Sequence, residues 1–358
     1  MPLDWRTTCT PDYLPYQVYD SCQAIFSSVA GLLAARESLV TMGVARAEAS
    51  VQDALLLSVA SETVGRAGGI LFTWRYGRAF DHECKRFRFL ADIFNDAGLV
   101  LGTASSAVRD PLVRTLVVLA AALLRALCGV CAGSSKAALT NHFAVADSSV
   151  ADINAKDGSQ ETVIYLLGLL LGTLLVPALT SRPAIWVALA LLLGLHLAAN
   201  HAAVRSVHLA TLNRHRLGLL LTRYFDAPAA VASPAQIALE EWLLVVPSTR
   251  FDATWITERN LHRFAGSLAK RQGRDPEEGQ RVVVVAVDSA GKLGITARSD
   301  ATHLDIMEAI FQTGLKTDDH TAWPAFVESA KSNGWHLDSD ALAFDGLRFH
   351  STKTRKDQ

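Results

Sequence analysis

The chain has 358 residues, half of them apolar and only 19% charged, with a formal net charge of −1. Soluble domains average near a quarter charged residues, so the shortage of charge points to a membrane protein or an unusually buried one. The near-zero net charge gives no footprint for nucleic acid or acidic partners. Length alone suggests two domains, and five cysteines without regular spacing imply reduced thiols.

The first residues, Met1-Pro-Leu-Asp-Trp-Arg, lack a basic segment followed by an apolar one and are not read as a secretory signal. Ser27, Gly31 and Ala35 form a small-residue ridge suited to close helix packing, as do Gly129 and Gly133. Between them, Phe80, Cys84, Phe87, Ala91 and Phe94 recur at helical spacing. The polar residues of the same helix, Asp81, Lys85, Arg88, Asp92 and Asn95, are expected on its other face. There Asp81–Lys85 and Arg88–Asp92 form i,i+4 ion pairs. Thr115 to Ala132 is apolar except for Arg125, a residue that belongs against a bundle interior or a polar cavity when it lies at membrane depth. Cys128-Gly-Val-Cys131 is a lone CxxC on that helix and reads as buried packing rather than redox or zinc chemistry.

The stretch from Ala138 to Thr162 is dense in Asn141, His142, Asp147, Asp152, Asn154, Lys156, Asp157, Gln160 and Glu161, with apolar sequence on both sides. Such groups are costly to bury unless paired or used. Asp157-x-x-Gln160 has the form of a capping box and Glu161 puts charge in the turn that follows, which predicts a helix start just before Val163. Val163–Thr180 and Ala184–Ala199 are leucine-rich runs at the short end of membrane-spanning length, joined by Ser181-Arg-Pro183 as a tight helical hairpin. Positive charge after the hairpin, at Arg205, Arg214, Arg216 and Arg223, places both its ends on the cytoplasmic side or its organellar equivalent.

His196, Asn200, His201, Arg205 and His208 follow at helical spacing. They are weighed as a metal cluster and set aside, because no fixed ligand spacing supports one. Gly129-x-x-x-Gly133-Ser-Ser-Lys136 fails the spacing of a phosphate loop. Beyond residue 225, the run Lys270-Arg-Gln-Gly-Arg-Asp-Pro-Glu-Glu-Gly279 reads as an exposed linker. Strands are predicted at Arg281–Val287 and Leu293–Ala297, helices at Ala301–Gly314 and Ala322–Asn333, and a final hairpin around Ala341–His350 turning at Asp345-Gly346.

Several ordered segments resemble the root UV-B sensitive family, also known by its vitamin B6 photoprotection and homeostasis domain. They are Pro11-Asp-Tyr-Leu-Pro-Tyr-Gln17 with Gln23-Ala-Ile-Phe-Ser-Ser28, Phe80-Asp81 with Lys85-Arg-Phe-Arg88, and Ala91-Asp-Ile-Phe-Asn-Asp96. Further along come Ala137-Ala-Leu-Thr-Asn-His142, Ala151-Asp-Ile-Asn-Ala-Lys-Asp-Gly-Ser-Gln-Glu161, and Leu195-His-Leu-Ala-Ala-Asn200. The chain departs from the family pattern at Ser61-Glu-Thr63, at Met42-Gly43 and at Ser135-Lys136, and so is similar to a diverged member. The resemblance implies a membrane-associated protein of organelles such as mitochondria or plastids, linked to vitamin B6 homeostasis and, in plants, to light responses and auxin transport. It brings no established reaction.

The expected fold is mainly α: a helical membrane domain with a transmembrane-like hairpin over 1–225, a connector over 226–280 and a small α+β domain over 281–358. The expected function is non-enzymatic, in vitamin B6 homeostasis and photoprotection. The alternatives are a small-molecule transporter with a polar intramembrane cavity and an enzyme of unknown reaction. Candidate cavity residues are Arg125, Asn141, His142, Asp152, Asn154, Lys156, Glu161, His196, Asn200 and Arg205, and the cavity reading requires Lys156, Glu161 and His196 to converge. No catalytic residue, metal site or required cofactor is read. Pyridoxal phosphate is considered as a ligand, with Lys136 or Lys156 as a Schiff-base partner, but no phosphate cradle accompanies either. The expected partners are the lipid bilayer and another family member or a second copy of the chain.

Overall fold

A computed structural model describes residues 4–41, 51–145, 150–226, 231–244, 247, 249–272, 283–289, 292–298, 301–315, 321–338, 342 and 348–349. The chain divides into two compact units, residues 1–207 and 208–358. Helices α8 and α9, which the sequence alone groups with the membrane domain and the connector, belong to the second unit.

Among the described residues, the elements of the first unit are helices: a single turn α1 (Trp5–Thr8), then α2 (Tyr13–Thr41), α3 (Val51–Tyr76), α4 (Cys84–Ser105), α5 (Pro111–Phe143), α6 (Val150–Leu175) and α7 (Arg182–Ser206). The starts of α5 and α7 follow local chemistry. Asp110 accepts from the Val113 amide at 2.9 Å with Pro111 at the first helical position, and Ser181 caps the Ala184 amide with Pro183 beside it. The leucine-rich hairpin is present as α6 and α7, and Ser181 lies between them as expected. The capping-box reading of Asp157-x-x-Gln160 is corrected: α6 already begins at Val150, so Asp157 lies two turns inside it. Its carboxylate accepts from the Tyr13 hydroxyl of α2 at 2.6 Å instead of capping a helix end.

Helix α2 is the centre of the unit, packing on α4, α6 and α7, while α5 packs on α4 and α3. The close approaches do not run through the expected small-residue ridges, since a Cβ on Gly31, Gly129 or Gly133 would meet nothing within 4 Å. They run through Gly168, where a Cβ would stand 2.5 Å from that of Ser28, and through Gly98, where it would stand 3.1 Å from the Arg125 Cγ and 3.2 Å from the Ala121 carbonyl oxygen. Among the described residues, five helices (α2, α3, α5, α6 and α7) are long and apolar enough to cross a membrane. Large apolar side chains cover the outside of the bundle, among them Ile70, Trp74, Leu112, Leu170, Leu174 and Val187.

The second unit packs helices on a small sheet. Helices α8 (Arg214–Asp226) and α9 (Pro234–Glu240) precede β1 (Ala253–Trp255) and α10 (Leu261–Gln272). Then come β2 (Val283–Val287), β3 (Leu293–Arg298), α11 (His303–Gln312), α12 (Ala322–Ser332) and β4 (Arg348–Phe349). β3 is central, antiparallel to β2 and parallel to both β1 and β4. Leu293 faces Val287 on one side and Ala253 on the other, and Ala297 faces Val283 and Arg348, so β1 and β4 share one edge of β3. The core joins Leu217, Leu220, Ile295, Phe311, Phe326 and Trp335. Both central strands and both late helices match the sequence expectation within about two residues, the usual uncertainty of element ends. Most of the expected linker and the Asp345-Gly346 turn lie outside the described residues.

Candidate functional site

The polar residues of α2 recur every three to four positions: Tyr13, Tyr16, Gln17, Asp20 and Gln23. That period places them on one helical face, and all five are buried. Helix α2 therefore turns its polar face inward, opposite to the arrangement of a water-soluble helix, whose polar face meets solvent.

Two groups of inward side chains result. In the first, Arg88 of α4 donates to Asp20 of α2 at 2.7 Å, to Asp92 one turn along its own helix at 3.1 Å, and through Nε to the Tyr16 hydroxyl at 3.2 Å. Gln23 donates to Asp20 at 3.1 Å. His196 of α7 lies between two carboxylates of α4, with Nδ1 2.8 Å from Asp96 Oδ1 and Nε2 3.5 Å from Asp92 Oδ2. Asn200, one turn further along α7, donates to Asp92 Oδ2. Asn95 donates to Asp96 Oδ1 at 3.2 Å. Burial pushes the Asp92 carboxyl above its usual range, and the positive charge of Arg88 and the proximity of His196 oppose that rise.

The second group lies nearer the α5–α6 connection. Besides Tyr13–Asp157, His142 pairs with Asp12 at 2.8 Å, and Gln160 donates to Gln17 at 3.2 Å and to Ser21 at 3.1 Å. Lys136 pairs with Glu161 at 2.5 Å, where both side chains are substantially exposed. Exposed pairs contribute about 0.2–1 kcal/mol, so Lys136→Ala is expected to shift unfolding of the unit by less than ~1 kcal/mol. A chemical denaturation series on purified protein checks this, and a larger loss would mean the pair supports more than itself.

Several sequence candidates occupy these groups: His142 in the second, His196 and Asn200 in the first. Glu161 and His196 belong to separate hydrogen-bonded groups. Asn141, Asp152 and Asn154 are exposed, Lys156 and Arg205 are half-buried, and Arg125 lies on the outer surface with its aliphatic stem against Gly98. Of the expected α4 ion pairs, Arg88–Asp92 is formed. Lys85 is buried and donates to the Val207 carbonyl at 3.0 Å, while Asp81 is exposed. The face of α4 that carries Lys85, Arg88 and Asp92 therefore points inward rather than to solvent, because α2 and α7 cover it. No disulfide joins any of the five cysteines.

Sequence reasoning missed Asp20, Asp96, Tyr13 and Asp157 as site residues. One signal for Asp96 was available. Asp92 and Asp96 are like charges one turn apart, which repel on a helix unless something cationic sits between them.

A family profile described as the vitamin B6 photo-protection and homoeostasis domain matches residues 1–227. RUS family member 1 of Dictyostelium discoideum is 34% identical over 247 residues, 68% of this chain and 46% of that protein. Protein root UVB sensitive 3 of Arabidopsis thaliana is 34% identical over 264 residues, 74% of this chain and 59% of that protein. Protein root UVB sensitive 6 of the same plant is 23% identical over 320 residues, 87% and 61% of the two chains. The chain thus spans about half the length of these curated relatives, and no solved structure matches it. The profile match over the helical unit, together with relatives of this identity, shows that the chain belongs to the root UV-B sensitive family, the family of the vitamin B6 photo-protection and homoeostasis domain.

Proposed function

We propose that the chain is a membrane-embedded, non-enzymatic factor of vitamin B6 homeostasis and photoprotection in an organellar membrane, and that its helical unit handles a small ligand such as a B6 vitamer. One observation carries the membrane part of this reading: the α6–α7 hairpin turns large apolar side chains outward while a charged network is enclosed between α2, α4 and α7. Leu166, Leu170, Leu174, Val187 and Leu191 face outward on the α6–α7 hairpin, while Asp20, Arg88, Asp92 and His196 are enclosed. Water favours the reverse distribution, and hydrocarbon favours this one.

The test has two parts. Membranes carrying the full chain are washed at alkaline pH and then extracted with detergent, and the protein is expected only in the detergent fraction. Recovery in the wash would overturn the membrane reading. Purified protein is then heated with pyridoxal phosphate, pyridoxal or pyridoxine. A binding vitamer at one hundred times its Kd raises stability by about 2.7 kcal/mol. No shift with any vitamer at millimolar concentration would remove direct handling.

A transporter is the second reading, favoured by the enclosed polar groups on α2, α4 and α7 rather than by any exposed site. Uptake of a labelled vitamer into vesicles holding the protein separates it from a binding factor.

A further inference from the structure

The contacts around His196 are unbalanced in hydrogen. A carboxylate only accepts, and a neutral imidazole has a single N–H. Here both ring nitrogens face carboxylates, Asp96 at bonding distance and Asp92 at 3.5 Å, so a neutral ring donates to one of them and turns a lone pair towards the other, which keeps only its remaining donors, Arg88 and Asn200 for Asp92 or Asn95 for Asp96. Among the described residues, Arg88 is the cation bonded to Asp20 and Asp92, and the buried Lys85 of the same helix donates to the Val207 carbonyl. Arg88 is engaged by Asp20, Asp92 and Tyr16. Helix α5 presents the half-buried thiol of Cys128 towards Asp92 and Asp96, and the Arg125 stem packs further along at Gly98. On α7, His201 is exposed and Asn200 is neutral. The enclosed set is three carboxylates, one guanidinium and one imidazole.

A second observation is independent of the ring. Asp96 Oδ2 and Asn200 Oδ1 are buried acceptors with no donor, on side chains that are 5% and 1% exposed. Asn200 is held to Asp92 through its amide nitrogen, which fixes its oxygen beside the same carboxylates. Buried acceptors without donors are expensive, and both belong to the residues that surround His196. No group of three His, Cys, Asp or Glu among the described residues is disposed to hold a metal ion, and a hydrogen added to the cluster would supply a donor of the kind these acceptors lack.

We propose that Asp92, His196 and Asp96 form a proton-binding site that takes up one proton beyond the single hydrogen of a neutral imidazole and releases it again. When loaded, the ring donates to both carboxylates, or one carboxyl carries the hydrogen. These are two microstates of one coupled unit. Loading adds one H⁺ and raises the summed charge of the three groups by one, and no other bond changes. The site spans α4 and α7, so the proton count sets the attraction between those helices, as in the Asp, Glu and His chains through which membrane proteins relay protons.

The experiment uses the full chain in detergent or nanodiscs with ¹⁵N-labelled histidine rings, without any vitamer. His196→Gln identifies the His196 signal among the eleven histidines. A pH titration is expected to show the two His196 nitrogens changing together from one-proton to two-proton shifts, or a buried carboxyl infrared band appearing in their place. Asp96→Asn is expected to abolish that step while the other histidine signals stay in place. A His196 ring that stays singly protonated, with no buried carboxylic acid at any pH where the protein is folded, would overturn the proposal. So would an Asp96→Asn titration identical to wild type. Should Asp96→Asn fail to fold, the wild-type titration decides alone. The readout involves no ligand, so failure here leaves the vitamer reading standing, and failure of vitamer binding leaves the proton site standing.

Discussion

Arg88→Met is expected to destabilise the helical unit by about 3–5 kcal/mol, the usual consequence of removing one partner from a buried ion pair. Arg88 is the cation between Asp20 and Asp92, and its side chain is only 11% exposed. Methionine fills much of the volume but leaves two enclosed carboxylates facing one another across α2 and α4. The cost therefore lies in the stranded charges rather than in lost packing. That distinction has its own check: adding Asp20→Leu to Arg88→Met should recover a measurable part of the loss, because an apolar pair of similar volume replaces a charged one. Detergent-solubilised protein followed by thermal or denaturant unfolding gives both values. An Arg88→Met variant within about 0.5 kcal/mol of wild type, the range of ordinary surface substitutions, would mean that the charges are solvated and the network is not buried as described.

The second large effect is expected in the other unit. Trp335→Ala should cost about 3–5 kcal/mol, the range for truncating a buried aromatic residue. The indole is 2% exposed, sits in the core with Phe311 and Phe326, and donates from Nε1 to the Ala232 carbonyl at 2.7 Å. Truncation opens a cavity and orphans that carbonyl together. With roughly 2–4 °C per kcal/mol for a unit of this size, the unfolding transition of residues 208–358 is expected to fall by roughly 10 °C. Trp242→Ala is the control, because that tryptophan is 61% exposed. Equal losses for the two tryptophans would contradict the core assignment.

The contrast between the two units also shows what the sequence could disclose. Elements built from local pattern were legible. The leucine runs of α6 and α7 with the Ser181-Arg-Pro183 break, the valines of β2 and the flanks of α11 each announce themselves within a dozen residues. β1 did not, because Ala253-Thr-Trp255 has no alternation of its own and is a strand only through its pairing with β3. The start of α6 was hidden for a related reason. Val150 to Gln160 is too polar to read as part of an apolar helix until α2 supplies Tyr13 and Gln17 as partners. The site was half legible on the same principle. The i,i+4 rule found Arg88–Asp92, and helical spacing singled out His196 and Asn200. No local rule could assign Asp20 to Arg88, 68 residues away, or Asp96 to His196, 100 residues away.

Those separations bear on how the protein is made. Helix α2 emerges from the ribosome early with its polar face unmet. Asp20 waits for α4, Asp12 for the end of α5 and Tyr13 for α6, 144 residues downstream. α4 then waits for α7. Until His196 is delivered, the growing unit holds the Asp96 carboxylate without its imidazole partner, and such groups are costly to enclose alone. A chain stopped before α7 keeps Asp92 and Asp96 but lacks His196 and Asn200, so the polar network is complete only once the last helix of the unit has been made.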